Sequence, residues 1–344
     1  MNPLTYSLQY LLVFGVSLGL ALLLTPLAGR LGRRLGIVDR PGGRRAHKGE
    51  VPRLGGIPLF VAFVVAVGVG QLLGIPTADA KEPVRLLGLL MGSALLFVVG
   101  LIDDRWEMRP LPQFAAHFAA AVVAVCTHIV LERFNNPFTD SEIILPLVLY
   151  APLTVFWVMG MITTVNWLDG LDGLSAGVGA ILCAVLAIHM HSVGQPSVAL
   201  LPLALLGALL GFLPYNFAPA RVFLGSAGAF FLGYALSALG LIAGGRVAAV
   251  LLVIGLPIVD VVWQIFDRLR HRRSPTQGDR GHLHFRLLDL GISQRAIVLF
   301  YWGFCALFGV LTLTISSRLY KLLALVGVGV VVIIVLAWLS RRRR

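Results

Sequence analysis

Long apolar runs dominate this sequence and constrain its fold more than any other feature. A helix of about 20 apolar residues crosses the hydrocarbon core of a bilayer. The runs lie at approximately 8–28, 56–74, 84–102, 112–131, 146–165, 174–191, 198–217, 223–243, 247–266, 296–315 and 319–339. Only 13% of the residues are charged, against about 25% in soluble domains. The sequence therefore predicts an all-α, polytopic membrane bundle of about 11 transmembrane helices. The runs 223–243 and 247–266 can also be read as one bent hairpin.

The distribution of Lys and Arg predicts the orientation, because these residues concentrate in cytoplasmic loops. With the N-terminus outside, 22 of the 28 Lys and Arg residues lie in the cytoplasmic loops and the C-terminal tail. The C-terminus is then cytoplasmic, and the net charge of +12 does not require a nucleic-acid partner. We expect one integral membrane domain over residues 1–344. Its cytoplasmic segments would include 29–55, 103–111, 166–173, 218–226 and 267–295.

The first polar cluster follows the third apolar run and contains Asp103 and Asp104. Adjacent carboxylates repel each other, so a helix end that concentrates them usually shares a cation or a proton. The alternative is a solvated helix cap with Arg105 and Arg109 as partners, and the pair alone does not decide between the two. We expect both carboxylates to have little packing role.

The second cluster contains Asn166, Asp169 and Asp172 in a loop otherwise free of charge. The two aspartates are three residues apart, so they would share one face of a helix. Gly170 and Gly173 follow them and permit close backbone approach or positive φ. We favour a metal or phosphate site here over a simple turn, and oxygen ligands favour Mg²⁺, with Mn²⁺ as the alternative.

The third cluster is the basic loop that contains Arg280, His282, His284 and Arg286. The two histidines would share a face if the segment were extended, and with the arginines they suit an anionic phosphate group. A zinc site is weaker, because no cysteine lies nearby. An amphipathic stretch on the membrane surface is the alternative.

The loop before the second run contains His47, Arg53 and several further basic residues. This composition suits a phosphate clamp, although by itself it is explained at least as well by the positive-inside rule. Carboxylates for a divalent cation and basic groups for phosphates, all on one membrane face, are typical of phosphoryl transfer.

In these motifs the chain resembles the polyprenyl-phosphate N-acetylhexosamine-1-phosphate transferases, of glycosyltransferase family 4 type. The branch is that of the undecaprenyl-phosphate GlcNAc-1-phosphate transferases. The phospho-MurNAc-pentapeptide translocases are more distant relatives. The similarity covers nearly the whole chain, in motifs that follow the family's order. These motifs are His47 with Pro52-Arg53-Leu54-Gly55-Gly56, Asp103-Asp104, Asn166 to Gly173, Gly211 to Phe217, Phe223-Leu224-Gly225, and Asp279 to His284.

The resemblance implies that sugar-1-phosphate, most simply GlcNAc-1-phosphate, passes from a UDP-sugar to polyprenyl phosphate. UMP leaves, and a lipid-linked cell-envelope glycan, such as lipopolysaccharide O-antigen or a teichoic acid linker, is begun. The carried-over catalytic residues are Asp103 and Asp104, and the Mg²⁺ ligands are Asp169 and Asp172. The carried-over substrate-binding residues are His47, Arg53, Asn166, Asn216, Arg280, His282 and His284. The implied location is the bacterial plasma membrane, with a cytoplasmic active site, and a homodimer is compatible with it.

One departure from the family pattern bears on activity. The family's Gly-Asp-x-Gly-Ser motif reads Gly225-Ser226-Ala227-Gly228-Ala229 here, so the usual metal-binding aspartate is Ser226. This leaves open a non-catalytic or weakly active member that binds polyprenyl phosphate or a nucleotide sugar. A phospho-MurNAc-pentapeptide transferase-like enzyme is a separate alternative. A transporter would need ionisable residues near the bilayer midplane, and the one candidate, Asp260, lies near a cytoplasmic end.

Overall fold

A computed structural model describes residues 3–40, 49–77, 79–244, 247–272 and 281–341. His47 and Arg280 lie outside these described residues. The helices described are α1 (Pro3–Leu35), α2 (Gly56–Leu72), α3 (Glu82–Trp106), α4 (Pro110–Cys126), α5 (Leu147–Leu168), α6 (Leu174–Ser192), α7 (Pro196–Asn216), α8 (Gly225–Ile242), α9 (Val247–Val253), α10 (Gly255–Arg270), α11 (Leu283–Asp289), α12 (Gln294–Thr314) and α13 (Arg318–Arg341). Two short antiparallel hairpins complete the fold, β1 (Val38–Asp39) with β2 (Val51–Pro52), and β3 (Arg133–Asn135) with β4 (Glu142–Ile144).

Most of the helices are long and apolar enough to cross a membrane. Within the described residues 8 helices meet this condition, namely α1, α3, α5, α6, α7, α8, α12 and α13. The predicted all-α, polytopic membrane fold is confirmed. Helices α2 and α4 coincide with two further predicted runs but have only 17 residues each. The total of about eleven spans and the orientation in the membrane therefore stay predictions.

The sequence predicts a single span over 247–266, but this run is not straight. It is divided into α9 and α10, whose axes differ by 82°. The break falls at Ile254, next to Gly255, and Pro257 has no backbone N–H to continue the hydrogen-bond ladder across it. Hydropathy alone did not reveal this break, because the residues on both sides of it are apolar.

Helix α8 forms the centre of the bundle. Of the residues of α8, 89% are buried inside the bundle. Small residues bring the backbones of neighbouring helices close to it, as is usual for helices that pack in membranes. A Cβ atom on Gly100 of α3 would lie 2.3 Å from the Cα atom of Ala227, and one on Gly233 would lie 2.6 Å from that of Ile162 in α5. The C-terminal end of α3 is therefore held directly against the N-terminal end of α8.

The loops predicted to be cytoplasmic meet at one end of the bundle. Their contacts include Gly55 N–H to Phe223 O (2.9 Å), Arg53 Nη1 to Glu107 Oε1 (3.3 Å), Ala220 N–H to Asp172 Oδ2 (2.9 Å) and Arg295 Nε–H to Ala218 O (2.9 Å). Segments that are distant in sequence are thus assembled into one polar surface, and the candidate site lies there.

Candidate active site

A cavity of about 420 Å³ opens at this end of the bundle. Six of the residues predicted for the site line it, namely Arg53, Asp104, Asn166, Asp169, Asp172 and Asn216. Ser226 also lines it, beside Asp104. The structure therefore brings together side chains from all five predicted loops, the fifth of them through Phe285, Leu288 and Gln294.

Asp104 is held at the N-terminal end of α8. Its Oδ1 accepts the N–H of Ser226 (2.8 Å) and its Oδ2 that of Ala227 (3.0 Å). The first N–H groups of a helix have no partner within the helix and favour a negative charge. Gly225 has φ +73°, and a Cβ atom there would lie 2.1 Å from Arg53 O and 2.7 Å from Asp104 Oδ2. Only glycine permits this approach of α8 to the carboxylate.

Asp103 points to a different environment. Its Oδ1 accepts the N–H of Met108 and the Nε2–H of Gln113, both at 2.8 Å, and these bonds hold the turn between α3 and α4. Among the residues that the structure describes, Asp103 does not line the cavity. The expectation that both carboxylates have little packing role is wrong, because each one organises a helix end.

Asp169 and Asp172 reach the cavity from a turn between α5 and α6, so the helical spacing considered for them does not apply. The Oδ2 of Asp172 accepts the N–H of Ala220 (2.9 Å). The next residue, Gly173, has φ +80° and donates its N–H to Asn216 Oδ1 (3.1 Å). Asn216 therefore braces the turn that carries both aspartates, in addition to lining the cavity.

The environment of Asp169 favours its neutral form in the absence of a cation. Burial of the carboxyl raises its pKa well above the usual range, and the negative charges of Asp104 and Asp172 act in the same direction. A hydrogen bond from Ser175 and the charge of Arg53 oppose the shift. Acidic residues thus outnumber basic ones among the described residues that line the cavity, and a bound cation would stabilise the ionised form of Asp169.

Arg53 is the only cation among the described residues that line the cavity. Its Nη2 lies 3.2 Å from Asp39 Oδ1 and its Nη1 lies 3.3 Å from Glu107 Oε1. Asp39 is buried and also lines the cavity. Sequence reasoning missed Asp39, and its only signal was an acidic residue at the start of a strongly basic loop.

The two histidines of the third cluster lie behind the cavity lining. His282 is buried with its Nδ1 2.9 Å from Asp260 Oδ2. His284 belongs to α11, so the extended segment considered for the two histidines does not apply, although their rings stack at 5.5 Å with 7° between their planes. A Cβ atom on Gly170, which lines the cavity, would lie 2.7 Å from His284 Nε2.

His284 is uncharged at neutral pH. Burial lowers its pKa to about 3, although Asp260 acts in the opposite direction. Both ring nitrogens lack a hydrogen-bond partner among the described residues. His284 therefore packs behind Gly170 and does not supply the positive charge that the sequence analysis considered for it.

The donor set around the cavity fits Mg²⁺ held jointly by protein and substrate. The described residues contain no group of three or more His, Cys, Asp and Glu side chains that could hold a metal alone. Mg²⁺, however, is commonly bound by one or two carboxylates together with substrate phosphates. Asp169 and Asp172 provide such carboxylates, in a cavity whose described lining residues include more acidic than basic ones.

Known proteins are similar to this chain over most of its length. A sequence model of glycosyl transferase family 4 matches residues 86–244. The probable undecaprenyl-phosphate N-acetylglucosaminyl 1-phosphate transferase of Bacillus subtilis is 30% identical over 316 residues, covering 90% of this chain and 86% of the relative. The decaprenyl-phosphate N-acetylglucosaminephosphotransferase of Mycobacterium tuberculosis (strain ATCC 25618 / H37Rv) is 33% identical, covering 81% of this chain and 76% of the relative.

A third relative is the undecaprenyl-phosphate alpha-N-acetylglucosaminyl 1-phosphate transferase of Escherichia coli (strain K12). It is 28% identical over 310 residues, which cover 86% of this chain and 80% of that protein. The similarity thus extends over nearly the whole membrane bundle, as the sequence resemblance predicted. This chain belongs to glycosyl transferase family 4, and it is a multi-pass membrane phosphotransferase of the polyprenyl-phosphate N-acetylhexosamine-1-phosphate transferase type.

Proposed function

We propose that the protein transfers GlcNAc-1-phosphate from UDP-GlcNAc to a polyprenyl phosphate, for which we take undecaprenyl phosphate, at the cytoplasmic face of a bacterial plasma membrane. An oxygen of the lipid phosphate bonds to the sugar-bearing phosphorus of the donor. The bond from that phosphorus to the bridging oxygen breaks, and UMP leaves. The observation that carries the proposal is the assembly of Asp104, Asp169, Asp172 and Arg53 around one cavity, in a chain whose relatives carry the names of such transferases.

We assign the residues the roles that the family resemblance implies and relate them to their places in and behind the cavity lining. Asp104, fixed by α8, would face the lipid phosphate and accept its proton if that phosphate binds protonated. Arg53 would bind a phosphate oxygen of a substrate, and Asn166 the nucleotide. Asp169 and Asp172 would hold Mg²⁺, which when bound neutralises charge that develops on the transferred phosphoryl group. His282, which belongs to the third cluster, would contact the diphosphate or the sugar of the donor.

Phosphoryl transfer depends mainly on positioning and charge neutralisation, and the hydrogen bonds and ion pairs around the cavity supply the positioning. The carboxylate of Asp104 is immobilised by two backbone N–H groups, and Arg53 is oriented by Asp39 and Glu107. The turn that carries Asp172 is fixed by Ala220. Little reorganisation of these groups is needed when the substrates bind.

The proposal is tested by incubating the purified protein with UDP-GlcNAc, undecaprenyl phosphate and Mg²⁺ and measuring UMP. We expect UMP release that requires both the lipid and the metal and that falls in Asp169→Asn. Asp140→Asn is the matched control, because Asp140 pairs with Arg318 in exposed positions far from the cavity-lining loops. Binding of UDP-GlcNAc without UMP release would instead identify the non-catalytic family member that Ser226 leaves open. Release of UMP only from UDP-MurNAc-pentapeptide would identify the translocase-like alternative.

A further inference from the structure

Helix α10 has an unusual distribution of polar residues for a chain that spans a membrane. Asp260, Gln264 and Arg268 follow each other at intervals of four residues, so they share one face of the helix. That face is turned inward, where the three residues are only 3%, 1% and 3% exposed. The opposite face carries exposed apolar side chains, namely Val262, Phe266 and Leu269. Burial of polar groups is costly unless they are paired or take part in function. The polar stripe formed by Asp260, Gln264 and Arg268 therefore requires an explanation.

Two side chains of the polar stripe form hydrogen bonds with residues 281–283, the segment that contains His282. Asp260 Oδ2 lies 2.9 Å from His282 Nδ1, and Asp260 Oδ1 accepts the N–H of Leu283 at 2.9 Å. Gln264 Nε2 donates to the carbonyl of Gly281. Three consecutive residues, 281 to 283, are therefore held by side chains of α10. Asp260 thus makes one contact with the backbone and one with the imidazole ring.

The third member of the stripe connects His282 to the cavity-lining part of α5. The guanidinium of Arg268 lies 4.9 Å from the centre of the Trp167 ring. The same indole makes an edge contact with the ring of His282, with 5.4 Å between the centroids. Trp167 follows Asn166, which lines the cavity. His282 is thus fixed from two sides next to the candidate site.

We infer that Asp260 is a positioning residue that acts through His282, an assignment that rests on the proposed function of this site. An ionised carboxylate only accepts hydrogen bonds, so Asp260 keeps the proton of His282 on Nδ1. The two ring nitrogens point in different directions, so Nε2 is the nitrogen left to contact a phosphate or sugar oxygen of the donor. A partner of this kind fixes both tautomer and ring orientation.

The structure supplies a matched pair of variants for the test. Asp260→Asn removes the buried carboxylate that faces His282. Asp267→Asn makes the same change on the same helix, at an aspartate that lies 3.5 Å from the exposed His271. We expect Asp260→Asn to lower kcat/KM for UDP-GlcNAc by about 10- to 100-fold and to weaken UDP-GlcNAc binding, and Asp267→Asn to change neither by more than about 2-fold. Wild-type values in Asp260→Asn would overturn the assignment.

A double-mutant cycle separates positioning from a merely structural role. If Asp260 acts through His282, the substitution Asp260→Asn should have little further effect on kcat/KM and on the Kd of UDP-GlcNAc in a His282→Ala background. If Asp260 only stabilises the loop, the loss should be the same in both backgrounds. Equal losses would therefore overturn the inference. The Kd keeps the cycle measurable when turnover is too slow to follow.

A measurement on the wild-type protein covers the case in which Asp260→Asn does not fold. In protein labelled with ¹⁵N-histidine, the signal of His282 is assigned by its loss in His282→Gln. We expect the Nδ1 shift of a nitrogen that carries a proton, and an unprotonated Nδ1 would overturn the inference. This signal needs no substrate. Absence of UMP release by the wild type would therefore refute the proposed function without affecting the observed tautomer.

Discussion

Replacement of Asp104 by asparagine tests the link between the bundle and the chemistry. The two carboxylate oxygens accept two different backbone N–H groups, those of Ser226 and Ala227. Asparagine can accept only one of them and presents its NH₂ group to the other. A buried donor without an acceptor costs about 1–3 kcal/mol, and loss of a negative charge at a helix N-terminus costs about 0.3–1 kcal/mol. We expect the free energy of unfolding to fall by about 1–4 kcal/mol.

Asp103→Asn is the matched control, because the adjacent carboxylate uses its oxygens differently. Oδ1 alone accepts both the N–H of Met108 and the Nε2–H of Gln113. The amide oxygen of asparagine can keep both bonds, so neither of these two donors loses its acceptor. We therefore expect a smaller loss of stability than in Asp104→Asn. We also expect a smaller loss of activity, because Asp104 lines the cavity and Asp103 is held at the α3–α4 turn.

The assay combines thermal unfolding with UMP release, both measured in the same detergent. Turnover is compared well below the unfolding transition of the less stable variant. Asp104→Asn should lower kcat by about 10²–10⁴-fold, the usual contribution of a group that takes part in proton transfer, and Asp103→Asn by clearly less. Equal losses in the two variants, or normal turnover in Asp104→Asn, would refute the distinction drawn from their hydrogen bonds.

Three further predictions concern other residues of the cavity. Asp39→Asn should weaken the orientation of Arg53 and raise the KM for UDP-GlcNAc more than it lowers kcat, which steady-state kinetics would show. Gly225→Ala should reduce the melting temperature strongly, because φ is +73° and Arg53 O leaves no room for a Cβ atom; Gly327→Ala, with nothing within 4 Å, is the control. Ser226→Asp should let Mg²⁺ saturate activity at a lower concentration and should increase the thermal shift that Mg²⁺ induces, whereas an identical shift in both proteins would place this side chain away from the ion.

The fold was predictable from the sequence because lipid imposes a simple rule on it. Backbone groups in a bilayer must be satisfied internally, so long apolar runs become helices. The rule does not report where a run bends, and the 82° break between α9 and α10 was missed. Gly255 and Pro257 were the local signal of this break, but glycine and proline also occur in unbroken transmembrane helices.

The candidate site was predictable where side chains of one kind cluster in sequence. Asp104, Asp169 and Asp172 were found in this way, and the structure places all three on one cavity. Asp39 and the partnership of Asp260 with His282 were not found. Their meaning depends on contacts between segments far apart in the chain, and a single sequence contains no information on such pairing.

The charge balance of the cavity leads to the condition on which the proposed function most depends. Four acidic residues, Asp39, Asp104, Asp169 and Asp172, line a space in which Arg53 is the only cation among the described lining residues. Arg53 is itself shared between Asp39 and the exposed Glu107. The proposed donor and acceptor both carry phosphate, so bringing them here would add further negative charge, and repulsion between like charges grows where water is excluded. We expect a divalent cation to supply the compensation. Removal of Mg²⁺ by a chelator should therefore weaken the binding of UDP-GlcNAc as well as its turnover, and binding unaffected by the chelator would refute this charge argument.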